Sequence, residues 1–198
     1  MLPEFPVFER DELVGCLDAA HATELRTRRS VTGLIILFCC AAIAWKSQVQ
    51  SLVATSSTEA EFYSAVTCGK IIKYLRYVLQ AFNALWPGPS RMFIDNLAAL
   101  QIINERRPTP RARHIEIQHF AIQEWREKMD LVMVHLKGIL NPSDGMTKPL
   151  GWVLHSRHAR RGMGHYNKIG SPSRLPPLQS PPSARLEGLE AGEGVGAR

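Results

Sequence analysis

The first half of the chain contains short apolar runs separated by polar segments and turn residues. These runs occupy residues 12 to 18, 31 to 38 and 41 to 46, with a weaker one near 49 to 54. Apolar runs of this length, bounded by turn residues, are typical of strands that are buried in a sheet. The first predicted strand ends at Asp18.

The spacing of apolar residues changes between residues 57 and 82. Ser57 or Thr58 can cap a helix, with Glu59 and Glu61 in its first turn. The apolar positions that follow recur at helical spacing, which predicts one long helix with a single buried face. These positions are Phe62, Ala65, Val66, Ile72, Leu75 and Leu79.

The second half of the chain predicts two more strands and two more helices. Residues 91 to 95 form a short strand that ends at Asp95, and residues 130 to 136 form another. Residues 96 to 106 predict a short helix and residues 113 to 128 a longer one. The apolar positions of the longer helix are Ile115, Ile117, Phe120, Ala121 and Trp125. This order of elements predicts an α/β fold, with a mixed sheet flanked by helices.

Four acidic residues lie where a short apolar run meets a turn or a helix start: Asp18, Glu61, Asp95 and Asp144. Ligand sites in α/β sheets gather at the carboxyl ends of central strands, where Asp18 and Asp95 are predicted to lie. Oxygen-only ligand sets suit Mg²⁺ or Mn²⁺. Two such ions about 4 Å apart are a common arrangement for cutting a phosphodiester. Taken one at a time, each acid could equally be a strand-end cap or a surface charge.

The charge and composition are compatible with a nucleic-acid substrate. The formal net charge is +6, the isoelectric point is about 9.4 and 45% of the residues are apolar. Scattered cations can hold a phosphate backbone while the acids hold metal. Ordinary solubility charge explains the same numbers equally well. The apolar fraction is sufficient for the core of one soluble domain. The sequence does not specify the oligomeric state, and we expect a monomer.

The cysteines and the N-terminus indicate a reducing compartment, cytoplasmic or nuclear. The cysteines Cys16, Cys39, Cys40 and Cys68 lack metal-ligand spacing and lie in apolar surroundings, so we expect buried, reduced thiols. The N-terminus lacks the apolar core of a signal peptide. The longest apolar stretch, residues 31 to 45, is too short to span a bilayer comfortably, and we expect no membrane association.

Basic residues cluster in one predicted loop, which is the candidate nucleic-acid-binding surface. Guanidinium groups match phosphate geometry, and this loop leads into a helix. Its members are Arg106, Arg107, Arg111, Arg113 and His114. A solvated loop is the alternative. A weaker candidate is the group Arg26, Arg28 and Arg29.

We predict structural roles for several other polar and aromatic residues. We expect Trp45 and Trp125 in the core rather than as base-stacking platforms, and His119 packed within the fold. Residues 154 to 166 form a basic extension, which we expect to be a solvated face. From about residue 167 to 198 the sequence is rich in Pro, Gly and Ser without apolar spacing, so we predict a disordered C-terminal tail.

Five sequence blocks, in order, resemble the ribonuclease H domain of copia-type retrotransposon polyproteins. They are LDAAHATELRTRRSVTG, AWKSQVQSLVATSSTEAEFYSA, FIDNLAALQIINERRP, RHIEIQHFAIQEW and NPSDGMTKPLG. Each block alone is a weak signal, but five collinear blocks make a chance similarity unlikely. The resemblance covers residues 12 to 153, preceded by a lead-in at residues 1 to 11. Since the chain begins just before this block, we expect a fragment or relic of a polyprotein.

The resemblance implies an RNase H-like fold with a five-stranded mixed sheet and an active site of four acids. Block by block, these acids are Asp18, Glu61, Asp95 and Asp144, which would bind two Mg²⁺ or Mn²⁺ ions. The implied activity is endonucleolytic cleavage of the RNA strand of an RNA–DNA hybrid. Where the family has a Gly-rich turn after the second strand, this chain has Cys39-Cys40-Ala41-Ala42, so we expect an altered hairpin there.

Two other functions remain open at this point. A catalytically silent nucleic-acid-binding relic would keep the fold without the reaction. A nuclease of the integrase or DEDD-exonuclease kind would keep the fold but act on another substrate, although the TEAE and DN blocks argue against it. The sequence lacks GxSxG, HExxH and phosphate-loop motifs, so it gives no support to an unrelated enzyme.

Overall fold

A computed structural model describes residues 11–85, 87–105 and 116–164, apart from the side chain of Glu116. The five strands are β1 (Val14–Ala20), β2 (Val31–Phe38), β3 (Ala41–Val49), β4 (Ser90–Ile94) and β5 (Leu131–His135). Within these ranges the helices are α1 (Ser57–Ala81), α2 (Leu97–Asn104), α3 (Glu116–Glu127) and α4 (Trp152–Gly162). Two short 3₁₀ helices, Gly138–Leu140 and Pro142–Met146, lie between β5 and α4.

The strands form one mixed sheet in the order β3-β2-β1-β4-β5. Strands β1, β2 and β3 pair antiparallel, whereas β1, β4 and β5 pair parallel. The five-stranded mixed sheet predicted from the sequence is therefore confirmed. The weak run near 49 to 54 is not a further strand, because β3 extends to Val49 and a loop connects it to α1.

Three predictions from the sequence concern residues outside the described ranges: the N-terminal lead-in, the basic loop and the tail. These residues are 1–10, the stretch from Arg106 to His114, and 167–198. Among the described helices, none is long and apolar enough to cross a membrane.

Helix α1 packs its apolar face against one side of the sheet, as its spacing predicts. Phe62, Ala65, Val66 and Ile72 are buried, and Leu75 and Leu79 pack against the same core. A smaller cluster fills the other side of the sheet, which the 3₁₀ helices and α4 help to cover. Both faces of β1 are therefore buried, and the strand forms the centre of the molecule.

Gly69 in the middle of α1 is required by a close helix contact. A Cβ atom there would lie 2.6 Å from the ring of Trp125 on α3. The helix thus accepts the cost of an internal glycine, about 1 kcal/mol relative to alanine, so that α3 can approach. Trp125 packs against the main core, as predicted.

The face of α3 that packs inward differs from the predicted one. Ile117 and Phe120 are 85% and 52% exposed, while His119 and Ile122 are buried. The His119 ring stacks on Phe62 with the ring centroids 6.2 Å apart, and its Nε2 lies 3.0 Å from the Ile102 carbonyl oxygen. The packed role of His119 is confirmed. The apolar spacing predicted the wrong inward face because His119 occupies an inward position and packs there through its aromatic ring.

Two more packing predictions are wrong. Trp45 is 68% exposed because β3 is the edge strand, so its side chains have sheet neighbours on one flank only. On α4, His158 is only 4% exposed, and the Arg161 Nη1 donates to the Leu140 carbonyl oxygen at 2.8 Å. Burial, with Arg161 and Arg157 nearby, lowers the pKa of His158 to about 4. The expected solvated face therefore does not include His158.

The β2–β3 hairpin turns through Cys39 and Cys40, which both have positive φ, 50° and 63°. Cys39 is exposed and Cys40 half-buried, so the expectation of four buried thiols holds only for Cys16 and Cys68. A two-residue turn with positive φ at both positions matches the twist of the flanking strands, which explains how the hairpin closes. It also imposes a backbone conformation that cysteine adopts at a cost.

Replacing Cys39 with Asn and Cys40 with Gly is expected to stabilise the protein by about 1 to 2 kcal/mol, because Asn and Gly tolerate positive φ. Urea unfolding measures the change as a higher midpoint with an unchanged slope. The control variant, with Ser at both positions, removes the thiols and keeps the backbone cost, so its stability should match the parent. Equal stability of the Asn-Gly and Ser-Ser variants would contradict the strain argument.

Candidate metal centre

Three acids meet at the carboxyl ends of the two central parallel strands. Asp18 lies near the end of β1, Asp95 directly follows β4, and Glu61 lies in the second turn of α1. One carboxylate oxygen from each residue lies within 4.8 Å of the other two. The topology brings them together because adjacent parallel strands end at the same edge and α1 begins above it.

Glu61 is the most deeply buried member of the group. The Ala19 backbone N–H donates to its Oε1 at 3.1 Å, while its Oε2 is buried without a hydrogen-bond partner in the described part of the chain. Burial, with the charges of Asp18 and Asp95, raises the pKa of Glu61 to about 9. The carboxyl group is thus neutral at pH 7 unless a cation offsets its charge.

A capping network fixes the start of α1 and with it the position of Glu61. The N-cap is Ser56, one residue before the predicted Ser57, and its hydroxyl accepts from the Glu59 N–H at 3.1 Å. Glu59 accepts from the Thr55 N–H at 2.6 Å and from the Tyr63 hydroxyl at 2.9 Å. Of the two acids in TEAE, Glu59 therefore holds the helix start and Glu61 faces the other acids.

Asp144 lies beside the three-acid group, on the second 3₁₀ helix. Its Oδ1 pairs with the Lys148 Nζ at 2.5 Å. Burial and the neighbouring Asp18 raise the pKa of Asp144, against the opposing effect of Lys148. Burial and the charges of Asp18 and Asp144 likewise raise the pKa of Asp95. The four predicted acids therefore form one electrostatic unit, which we call the acid cluster.

Two residues that follow Asp144 also reach the acid cluster. The Thr147 hydroxyl donates to Asp18 Oδ2. Burial lowers the pKa of Lys148, but the carboxylates of Asp144, Asp18 and Asp95 outweigh burial and raise it. Neither residue was singled out from the sequence, although both lie in the TK pair of the last block.

Asn141 anchors the segment that carries Asp144. Its Nδ2 donates to the Leu17 carbonyl oxygen at 2.7 Å, and its Oδ1 accepts from the Ser143 hydroxyl at 2.6 Å. The side chain is fully buried. Gly33 on β2, paired with Asp18, makes room for this segment, because a Cβ there would lie 2.9 Å from the Ser143 carbonyl oxygen. The sequence signals for this contact were the Asn-Pro turn and the glycine of the TG block.

Replacing Asn141 with Ala is expected to destabilise the protein by about 1 to 3 kcal/mol, because it leaves the buried Leu17 carbonyl oxygen unsatisfied. Urea unfolding at neutral pH measures the loss. Asn104, at the exposed end of α2, provides the control. Its alanine variant should change stability by less than about 0.5 kcal/mol. If the two variants were equally stable, Asn141 would not be the anchor described above.

The acid cluster suits a hard divalent cation. It offers carboxylate oxygens alone, which Mg²⁺ and Mn²⁺ prefer, and one of these oxygens, Glu61 Oε2, has no other partner in the described structure. Burial, together with repulsion from the neighbouring carboxylates, raises the pKa values of Glu61 and Asp95. A bound cation would relieve this repulsion.

Comparison with known proteins identifies homologous sequences and structures with a similar fold. The chain is 31% identical over 136 residues to the retrovirus-related Pol polyprotein from transposon TNT 1-94 of Nicotiana tabacum, covering 69% of this chain and 10% of that protein. It is 26% identical over 144 residues to the corresponding polyprotein from transposon RE2 of Arabidopsis thaliana, covering 73% of this chain and 10% of that protein. The chain thus spans about a tenth of the length of these relatives. No family model matches it.

Among solved structures, LC11-RNase H1, isolated from compost, has a similar fold. The TM-score is 0.50 at 11% identity, over 69% of this chain and 92% of that one. The five-stranded mixed sheet with its flanking helices is therefore an RNase H-like fold. The chain itself is a homologue of the Pol polyproteins of copia-type retrotransposons.

Proposed function

We propose that this chain is a metal-dependent endonuclease that hydrolyses the RNA strand of RNA–DNA hybrids. The observation that carries the proposal is the convergence of Asp18, Glu61 and Asp95, with Asp144 beside them, within an RNase H-like fold. The homology to retrovirus-related Pol polyproteins of transposons supports it.

The four acids would hold two Mg²⁺ or Mn²⁺ ions. When bound, such ions lower the pKa of a water molecule and stabilise the negative charge that develops at the scissile phosphate. Asp18 lies at the centre of the cluster, since its charge acts on the pKa of Glu61, Asp95 and Asp144. Asp18 is therefore the acid on which the binding of the ions would depend most.

The neighbouring side chains orient these acids. The Thr147 hydroxyl donates to Oδ2 of Asp18 and so holds one oxygen of that carboxylate in place. The Ala19 N–H fixes one oxygen of Glu61 and leaves Oε2 for a cation. Lys148 holds Asp144 through its Oδ1. In each case one carboxylate oxygen is held by the protein, which limits the rotation of the ligand group.

The direct test uses the full 198-residue chain with Mg²⁺ or Mn²⁺ and a labelled RNA–DNA hybrid, beside duplex DNA and duplex RNA. We expect cleavage of the RNA strand of the hybrid, abolished by Asp95→Asn. A matched control is Asp130→Asn, since Asp130 pairs with Lys73 away from the acid cluster. Normal cleavage by the Asp95→Asn variant would show that the site assignment is wrong.

A catalytically silent nucleic-acid-binding protein is the second candidate. The observation that favours it is the ion pair between Lys148 and Asp144, which already places one positive charge at the acid cluster. A folded protein that binds the hybrid but does not cleave it, and whose stability does not respond to Mg²⁺, would establish this second function.

A further inference from the structure

A cavity of about 200 Å³ lies at the β3 edge of the sheet. Strand β3, the loop from β3 to α1, one side of α1 and Gln118 of α3 enclose it. No acidic residue contributes to its lining in the described part of the chain. A polar cavity without carboxylates, on a chain with a net charge of +6, favours an anionic ligand.

Two lysines from different elements line this cavity. Lys46 extends from β3 and Lys70 from α1, and neither forms an ion pair within the described residues. Most of the other lysines with described positions behave differently, since Lys73, Lys128 and Lys148 each pair with a carboxylate. The two ammonium groups of the cavity are therefore available to an anion.

The wall between the lysines is held in place by a buried hydrogen-bond network. The Gln50 Nε2 donates to the Thr32 hydroxyl at 3.0 Å and to the Ala60 carbonyl oxygen at 2.9 Å. The Oε1 atoms of Gln50 and Gln118 are buried without a partner in the described structure. A ligand that carries hydroxyl donors beside its negative charge, as a sugar–phosphate unit does, matches both features of the lining.

The register of the sheet relates the cavity to the acid cluster. Thr32 of the cavity pairs with Ala19, whose N–H donates to Glu61. Gln48 of the cavity pairs with Thr32 from the next strand. With neighbouring strands about 4.8 Å apart, Gln48 lies about 10 Å from the end of β1. A nucleic-acid strand held at the acid cluster can therefore reach the cavity with its own backbone.

We propose that this cavity binds a sugar–phosphate unit of a nucleic-acid strand, with Lys46 and Lys70 holding the phosphate. The inference rests on the proposed function for the identity of the strand. The cavity itself would bind the same chemical group from free phosphate, so two separate measurements are needed.

The first measurement is the salt dependence of hybrid binding by the full chain in EDTA, where cleavage does not interfere. Each phosphate contact contributes about 0.7 to 0.9 to the slope of log affinity against log salt. We expect Lys46→Gln and Lys70→Gln each to reduce this slope by about 1 and to weaken binding about 3- to 10-fold at low salt. The charge-matched control is Lys128→Gln, directly after α3, which should leave the slope unchanged.

The second measurement is a titration of the full chain with inorganic phosphate, followed by NMR. We expect the backbone amides of Gln48 and Thr67 to shift, and the shifts to be lost in Lys70→Gln but kept in Lys128→Gln. Circular dichroism verifies that each variant is folded. Absence of these shifts, together with unchanged salt slopes in Lys46→Gln and Lys70→Gln, would overturn the proposal.

If the two measurements disagree, the outcome distinguishes a phosphate of a nucleic-acid strand from free phosphate. Phosphate-induced shifts with unchanged salt slopes would overturn the nucleic-acid assignment and leave a site for free phosphate. If the parent chain does not bind the hybrid at all, the proposed function fails. The phosphate titration then still decides whether the cavity binds an anion.

Discussion

Asp18→Asn is expected to reduce cleavage of an RNA–DNA hybrid by at least about 10³-fold, which corresponds to about 4 kcal/mol of transition-state stabilisation. Asp18 is the acid whose charge reaches each of the other three and whose second oxygen is held by Thr147. The variant keeps the size and the hydrogen-bond acceptor of the side chain but removes the charge that a divalent ion requires.

The same variant should be more stable than the parent when metal is absent. Burial is the main cause of the raised pKa of Glu61, and repulsion from Asp18 adds to it. Removing the Asp18 charge relieves that repulsion. Thermal unfolding in EDTA should therefore show a higher midpoint for Asp18→Asn, whereas Glu124→Gln on the exposed face of α3 should not show it. A variant that is both inactive and destabilised would indicate a damaged fold rather than a lost ligand. Activity within tenfold of the parent would contradict the central role of Asp18.

The stability of the metal-free protein is expected to fall as the pH rises from 6.5 to 8. Glu61 has a pKa of about 9 in the folded chain, against 4.5 for the free side chain. Between these values the folded state binds more protons than the unfolded state, so raising the pH favours unfolding. One such group changes the free energy of unfolding by up to about 1.4 kcal/mol per pH unit. We therefore expect a loss of about 2 kcal/mol over this range.

The window from pH 6.5 to 8 isolates Glu61 from opposing groups. His158, whose pKa is lowered to about 4, has the opposite effect but only between about pH 4 and 6.5. Lys148 and Lys128, with raised pKa values, lose their contribution only near pH 10.5 and above. Urea unfolding in EDTA at several pH values gives the slope, which should be absent in Glu61→Gln.

Divalent metal should reverse this pH dependence. Mg²⁺ competes with the proton on Glu61 and binds the folded state, so its stabilising effect should grow as the pH rises. Ca²⁺ at the same concentration tests whether the site prefers a small cation, since Ca²⁺ takes more ligands at longer distances. A parent protein whose stability is constant from pH 6.5 to 8 in EDTA would contradict the burial of Glu61 as a proton-binding group.

Much of the fold could be predicted because its strands are short apolar runs that end at turn residues. The order of elements and the buried face of α1 followed from apolar spacing and helix signals, whereas the packed His119 was predicted because a histidine on a helix is more often packed than catalytic. The outward position of Trp45 could not be predicted, because the order of strands in a sheet depends on tertiary contacts rather than on local spacing. The inward face of α3 was missed for a related reason. Its buried positions include His119 and Gln123, whose Nε2 atoms lie within hydrogen-bond distance of the Ile102 and Ile103 carbonyl oxygens.

The candidate site was predicted as residue types but not as an arrangement. The four acids were singled out from their places at strand ends and turns, and the structure brings three of them within 4.8 Å. The residues that support these acids could not be identified from the sequence, because their roles depend on partners that are far away along the chain. Asn141 acts on Leu17, and Thr147 acts on Asp18, across most of the domain. Apolar spacing describes contacts within one element, so it carries no information on such pairs.

The hydrogen bond from Asn141 to Leu17 has a consequence for how the domain forms during synthesis. Its two partners are separated by 124 positions along the chain. A nascent chain that has released only β1, β2, β3 and α1 lacks the strand β4 that completes the centre of the sheet and the segment that brings Asp144. Contacts of such high sequence separation form slowly and late. The acid cluster is therefore complete only after nearly the whole domain has left the ribosome, and a shortened product ending just before residue 141 would carry Asp18, Glu61 and Asp95 but lack Asp144 and its anchor Asn141.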